Sequence, residues 1–157
     1  MSASEPAPAR RDGAPRPLAF VADDDGAFRA VLRRELGALG YDVVEAADGE
    51  QALEALALAA DGDAPIPDVI VLDVCMPGYS GLGILRALQR FGDPPPTFLV
   101  TGFDDRSVDV LGRNLGAIRV FHKPVDLDEV LGAIARAGGT AGQGRGFAQR
   151  PPSLPRA

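Results

Sequence analysis

Five short apolar runs separated by amphipathic segments organise the chain between residues 18 and 137. The first run, 18–22, ends in three aspartates, and behind it Phe28, Val31, Leu32, Leu36 and Leu39 recur at helical spacing up to Gly40. Residues three and four apart share one helical face, and a following glycine closes such a helix. A second strand is expected at 41–46, and Asp48 with Gln51 has capping-box spacing ahead of a helix lined by Leu53 and Leu56. After a turn-rich stretch, 68–73 reads as the third strand, followed by a helix marked by Leu82, Leu85 and Leu88. Prolines 94–96 precede a fourth strand at 97–100, and Asp104 or Asp105 can cap a helix carrying Val108, Leu111 and Leu115. The fifth run, 117–121, is followed by another capping pair, Asp126 and Glu129, before Val130, Leu131 and Ile134. Strands one, three and four are almost wholly apolar, as a parallel sheet covered on both faces requires. The pattern therefore predicts an α/β fold: a doubly wound, five-stranded parallel sheet with five helices.

Composition narrows the functional classes. The 157 residues suit one domain with tails. The stretch 1–17 is rich in Pro, Ala and Arg, and 138–157 is rich in Gly, Pro and Arg. Neither has the apolar anchors to offset chain ordering, so both are expected to be disordered tails around a domain at 18–137. The formal charge is −6, and the tails carry +1 and +3, which leaves about −10 on the domain. Such an acidic body argues against direct nucleic-acid binding, which needs clustered cations. A single cysteine excludes an internal disulfide framework and suits a reducing cytosol. No apolar run reaches the ~18 residues of a spanning helix, and the N-terminus lacks the apolar core of a secretory signal. A cytoplasmic protein without membrane insertion is expected.

Polar residues gather where the strands end. Asp23 and Asp24 follow strand one, Asp73 closes strand three, Thr101 follows strand four, and Lys123 lies just past strand five. In doubly wound sheets the ligand site lies beyond the carboxyl ends of the strands, at the topological switch point. Three carboxylates brought together there cannot all stay ionised unless a cation joins them. An all-oxygen site favours Mg²⁺, which keeps several waters and accepts a phosphate oxygen. A lone carboxylate at a strand end would read as a helix cap; three of them with a threonine and a lysine point to chemistry.

These residues resemble the receiver domain of bacterial two-component response regulators, a flavodoxin-like fold. The likeness rests on the Asp pair at 23–24, D-V-C-M-P-G-Y-S-G from Asp73, T-G at Thr101 and K-P at Lys123, in order along residues 18–137. It implies that Asp73 is the phosphoacceptor, taking a phosphoryl group from a histidine kinase, a histidine phosphotransfer protein or a small phosphodonor. It implies Asp24 as the main acidic Mg²⁺ ligand, Asp23 as holder of a metal-bound water, and Cys75 as a ligand through its backbone carbonyl. Lys123 would pair with Asp73 before transfer and with a phosphoryl oxygen afterwards. Thr101 would hydrogen-bond the phosphoryl group and carry the signal outward, with Gly102 leaving room beside it. The resemblance also implies a cis Lys123-Pro124 bond.

Other residues take plainer roles. Asp25 is expected to cap the first helix, Gly78 and Gly81 to serve the turn after Asp73, and Phe20, Phe98 and Phe121 to fill the core. His122, the only histidine, has no metal-ligating neighbours in sequence and is expected on the surface or in packing rather than as a ligand. There is one departure from the family pattern: Val120 stands where an aromatic switch residue is usual. Strand alternation puts Phe121 on the opposite face, so it does not substitute. The resemblance further implies that Cys75 and Phe103 flank the path of a hydrolytic water, and neither orients water well, so a slow loss of phosphate is expected.

Three functions compete. The first is a stand-alone phosphorylatable receiver that signals by docking to a downstream protein, since little chain follows Gly138. The alternative is a receiver-like binding module that acts without phosphorylation. The third is a Mg²⁺-dependent aspartyl-phosphate hydrolase, disfavoured because its nucleophile would follow the first strand with a second acid two residues on. The expectation is thus not a turnover enzyme, beyond its own phosphorylation and dephosphorylation.

Overall fold

The computed structural model describes residues 15–141, so 1–14 and 142–157, most of the tails expected at 1–17 and 138–157, lie outside the described residues. Within it the chain runs β1 (Leu18–Ala22), α1 (Gly26–Ala38), β2 (Asp42–Ala46), α2 (Gly49–Ala60), β3 (Val69–Asp73), α3 (Gly81–Leu88), β4 (Thr97–Thr101), α4 (Arg106–Asn114), β5 (Arg119–His122) and α5 (Leu127–Ala141). A short 3₁₀ turn, Gln89–Phe91, extends α3. All strand pairs are parallel, in the order β2-β1-β3-β4-β5. The doubly wound α/β expectation holds, and the chain reverses direction across the sheet between β1 and β3.

Alternation along the strands sorts the core into two layers. Phe20, Ala22, Ile70, Leu72 and Leu99 face α2 and α3, where Ala52, Leu56, Ile84, Leu85 and Leu88 meet them. Ala19, Val21, Val69, Val71, Phe98, Val100 and Phe121 face α1 and α5, against Leu32, Leu36, Val130 and Ile134. Side chains fix the helix starts much as expected. Asp25 accepts from the amides of Ala27 and Phe28, Asp48 from Gln51, Asp105 from Ser107 and Asp126 from Glu129. Each satisfies donors that a helix N-terminus leaves open.

Three differences have physical causes. The folded unit begins before residue 18, because Arg16 donates to the carbonyls of Gly37, Gly40 and Tyr41 while the Pro17 carbonyl accepts from Asp42. α5 continues to Ala141, past residue 137, because Gly138 does not stop a helix whose inner face is already packed. β5 starts at Arg119 rather than at 117, since the Ala117 amide is held by the Gly112 carbonyl at the end of α4.

Candidate functional site

The site forms where β1 and β3 end side by side at the switch point. Asp73 is the last residue of β3 and is buried, and the ladder continues past it through the Val74 amide to the Val100 carbonyl. Its backbone is pressed from the other side by Gly81, where a Cβ would stand 2.4 Å from the Asp73 carbonyl oxygen. Only glycine permits that approach, so α3 starts directly against the end of β3. Ser80 caps α3 through the Gly83 amide. Asp73 Oδ1 accepts from the Cys75 amide at 3.1 Å.

Asp23 is the deeper carboxylate of the β1 end, 1% exposed, while Asp24 is exposed. Its Oδ1 accepts from the Asp25 amide at 2.8 Å, and Arg29 Nη1 donates to its main-chain carbonyl at 2.6 Å. Arg29 in turn is held by Glu45 at the end of β2. Lys123 Nζ reaches Asp23 Oδ1 at 3.2 Å and Oδ2 at 2.9 Å, against 3.8 Å to Asp73 Oδ2. The lysine therefore sits mainly on Asp23, and the expected pairing with Asp73 is the longer contact. The sealed Asp23 Oδ2 accepts no hydrogen bond from the described residues; its contact with the ammonium is purely ionic.

Electrostatics follow from this burial. Loss of water, and then the charge of Asp23, push the Asp73 carboxyl up to about 7, against the Cys75 amide and Lys123, which pull it down. Burial depresses the Lys123 ammonium, yet the hydrogen bond and charge of Asp23, with Asp73 and Asp25, outweigh it and lift its pKa above the ordinary lysine value. A site that holds a proton on Asp73 near neutrality is short of positive charge. One oxygen from each of Asp23, Asp24 and Asp73 lies within 4.8 Å of the others. With Asp23 Oδ2 buried and engaged only by the Lys123 ammonium, this all-oxygen set suits a hard divalent cation.

Thr101 ends β4 and is fully buried, with Oγ1 accepting from the Phe103 amide at 3.0 Å. The hydroxyl keeps its own proton to donate elsewhere. Phe103 itself is 53% exposed, and Cys75 is exposed. The Lys123-Pro124 bond is cis, as expected. Val120 packs toward α2, α3 and α4 and Phe121 toward α1 and α5, so the aromatic neighbour does lie on the wrong face to replace a switch residue.

His122 is exposed, as expected, and it also bridges two elements. Its Nδ1 is 2.9 Å from the Phe103 carbonyl and its Nε2 is 2.8 Å from Asp109 on α4. Both partners are acceptors, so only the doubly protonated ring donates to both. This bridge and the Arg29 clamp were not legible in the sequence; the one available signal for Arg29 was its place one turn after the Asp25 cap.

The response regulator receiver domain profile matches residues 19–135. The response regulator MprA of Mycolicibacterium vanbaalenii is 41% identical over 112 residues, which cover 71% of this chain and 46% of that protein. The protein of the same name in Mycobacterium leprae is 42% identical over 115 residues, covering 73% of this chain and 48% of that one. The chain thus spans about half the length of the curated relatives it matches. Among solved structures, a response regulator receiver protein from Pseudomonas putida superposes with a TM-score of 0.68 at 28% identity, over 78% of this chain and 98% of that one. A CheY-like receiver domain protein from Methanospirillum hungatei gives a TM-score of 0.71 at 21% identity, over 82% and 98%, a likeness of fold.

Proposed function

This chain belongs to the response regulator receiver domain family, and we propose that it accepts a phosphoryl group on Asp73 from a phosphohistidine of a histidine kinase or phosphotransfer protein. The observation that carries the reading is the corner itself. A buried carboxylate at the end of β3 stands within reach of a second buried carboxylate, an exposed third and an ammonium. Asp23, Asp24, Asp73 and the Cys75 carbonyl would hold Mg²⁺, which neutralises charge on the transferring group.

The chain's own residues supply the rest. A carboxylate oxygen of Asp73 forms the new bond to phosphorus as the P–N bond of the donor breaks, its electron pair leaving with the imidazole nitrogen. The product is an acyl phosphate. On this reading Lys123 would shift from Asp23 toward a phosphoryl oxygen, and the Thr101 hydroxyl would donate to another. Drawing Thr101 inward disturbs the hydrogen bond it accepts from Phe103, and through the Phe103 carbonyl the His122 bridge to α4. The output of this reading is a changed α4–β5 face offered to a downstream protein. Intact mass after incubation with Mg²⁺ and an acyl phosphate donor tests it: one phosphoryl group adds, and chelation or Asp73→Asn prevents it. Partner binding that persists with no phosphoryl addition would instead favour a module acting unphosphorylated.

A further inference from the structure

Lys123 has a partner that is not a carboxylate. Its Nζ stands 4.8 Å from the centroid of the Phe28 ring, within the reach of a cation–π contact. The ammonium therefore lies between the Asp23 and Asp73 carboxylates and an aromatic face. Both partners have fixed backbones. The Phe28 amide is held by the Asp25 cap at 3.2 Å, and the Lys123 amide donates to the Thr101 carbonyl at 2.8 Å. The ring is half-buried and packs on the core layer beneath α1.

We propose that Phe28 is a positioning residue for phosphoryl transfer, acting through Lys123. A lysine on four rotatable bonds tends to wander, and here it borders an open groove of about 700 Å³ lined also by Val31, Gly102, Val125 and Leu127. The ring attracts the ammonium by its quadrupole and keeps water from one side of it, so the charge stays over the carboxylate corner. A flexible cation held in place before the donor arrives loses less freedom on reaching the transferring oxygens.

The kinetic consequence rests on Asp73 being the phosphoacceptor; the contact itself does not. Replacing Phe28 with mono-, di- and trifluorophenylalanine keeps the ring's shape while draining its face of negative charge. The rate of phosphoryl acquisition should fall stepwise along that series, and Phe28→Leu should lose about three- to tenfold. In the metal-free chain the Lys123 Hε resonances should be shifted upfield by the ring current, and Phe28→Leu should return them to ordinary values. A rate that is flat across the fluorinated series overturns the positioning role. Unshifted Lys123 resonances overturn the contact. If the parent chain takes no phosphoryl group, the phosphoacceptor reading fails, while the resonances still decide the contact.

Discussion

The corner where β1 meets β3 and the flank where α4 meets β5 are built to different standards. At the corner, α3 buries Gly81, Ile84, Leu85 and Leu88 out of eight residues, and ladder bonds hold the backbone on both sides of Asp73. On the flank, α4 buries Gly112 alone out of nine, while Val110, Leu111 and Ile118 are exposed. Groups that must meet within tenths of an ångström sit on the over-determined element; groups that must change sit on the lightly anchored one. On the proposed function, the difference separates chemistry from output within one small domain.

The largest expected effect concerns the cost of that rigid, dry corner. An acid near 7 when folded and 3.8 when unfolded holds a proton in the folded chain that the unfolded chain releases. The contribution of Asp73 to stability is therefore greatest at low pH and falls as pH rises from about 4 through about 7. Without metal, Asp73→Asn should flatten that slope and stabilise the chain at pH 8 by about 2–4 kcal/mol, read by chemical denaturation. Millimolar Mg²⁺ should restore much of the loss in the parent and little in the variant. A parent whose stability is flat across that window would break the electrostatic account of the corner.

Next comes packing. Gly81→Ala places a methyl 2.4 Å from the Asp73 carbonyl, so it should cost about 3 kcal/mol and slow phosphoryl acquisition at least as visibly. Gly37→Ala meets nothing within 4 Å in the last turn of α1 and should stabilise by about 0.5 kcal/mol. Equal thermal shifts in the two variants would erase the contrast.

Flank substitutions should act on output. A Cβ on Gly112 would stand 3.0 Å from Val120 Cγ2 and 2.8 Å from Leu99 Cδ1, so α4 rides close over β5 at the position a family aromatic would occupy. Val120→Tyr must push α4 outward, at about 1 kcal/mol of stability. Phosphorylation should stay roughly intact, while partner affinity and the α4 amide resonances change. Abolished phosphorylation would move Val120 into the site. The smallest effect is on phosphate lifetime: Phe103→Glu and Cys75→Asn each offer water a polar group and should speed decay severalfold, equal to about 1 kcal/mol. Unchanged decay in the double variant would leave the exposed Phe103 as a docking residue.

Periodicity revealed the fold because side chains that pack leave a trace. β1, β3 and β4 are apolar runs, and Asp25, Asp48 and Asp126 cap where their spacing says they should. The expected helix forms at α4, with Val108 and Leu115 against the core, but Leu111 is 47% exposed and the closest approach is at Gly112, which adds nothing to an apolar pattern. At the site, the residue types and strand ends were legible, but their pairing was not. Asp23 and Asp24 are neighbours beyond the last rung of β1, and only the turn into α1 decides which goes inward. Lys123 meets Asp23 across 100 positions and Phe28 across 95, contacts that no local spacing encodes.

The most direct test of the central claim is to locate the phosphoryl bond. Borohydride reduces an aspartyl acyl phosphate to homoserine, so the chain is incubated with Mg²⁺ and an acyl phosphate donor, reduced, digested and sequenced by mass spectrometry. The account predicts homoserine at position 73 alone, absent without donor or metal. Homoserine at Asp23 or Asp24, or a phosphoryl group that survives in Asp73→Asn, would contradict it.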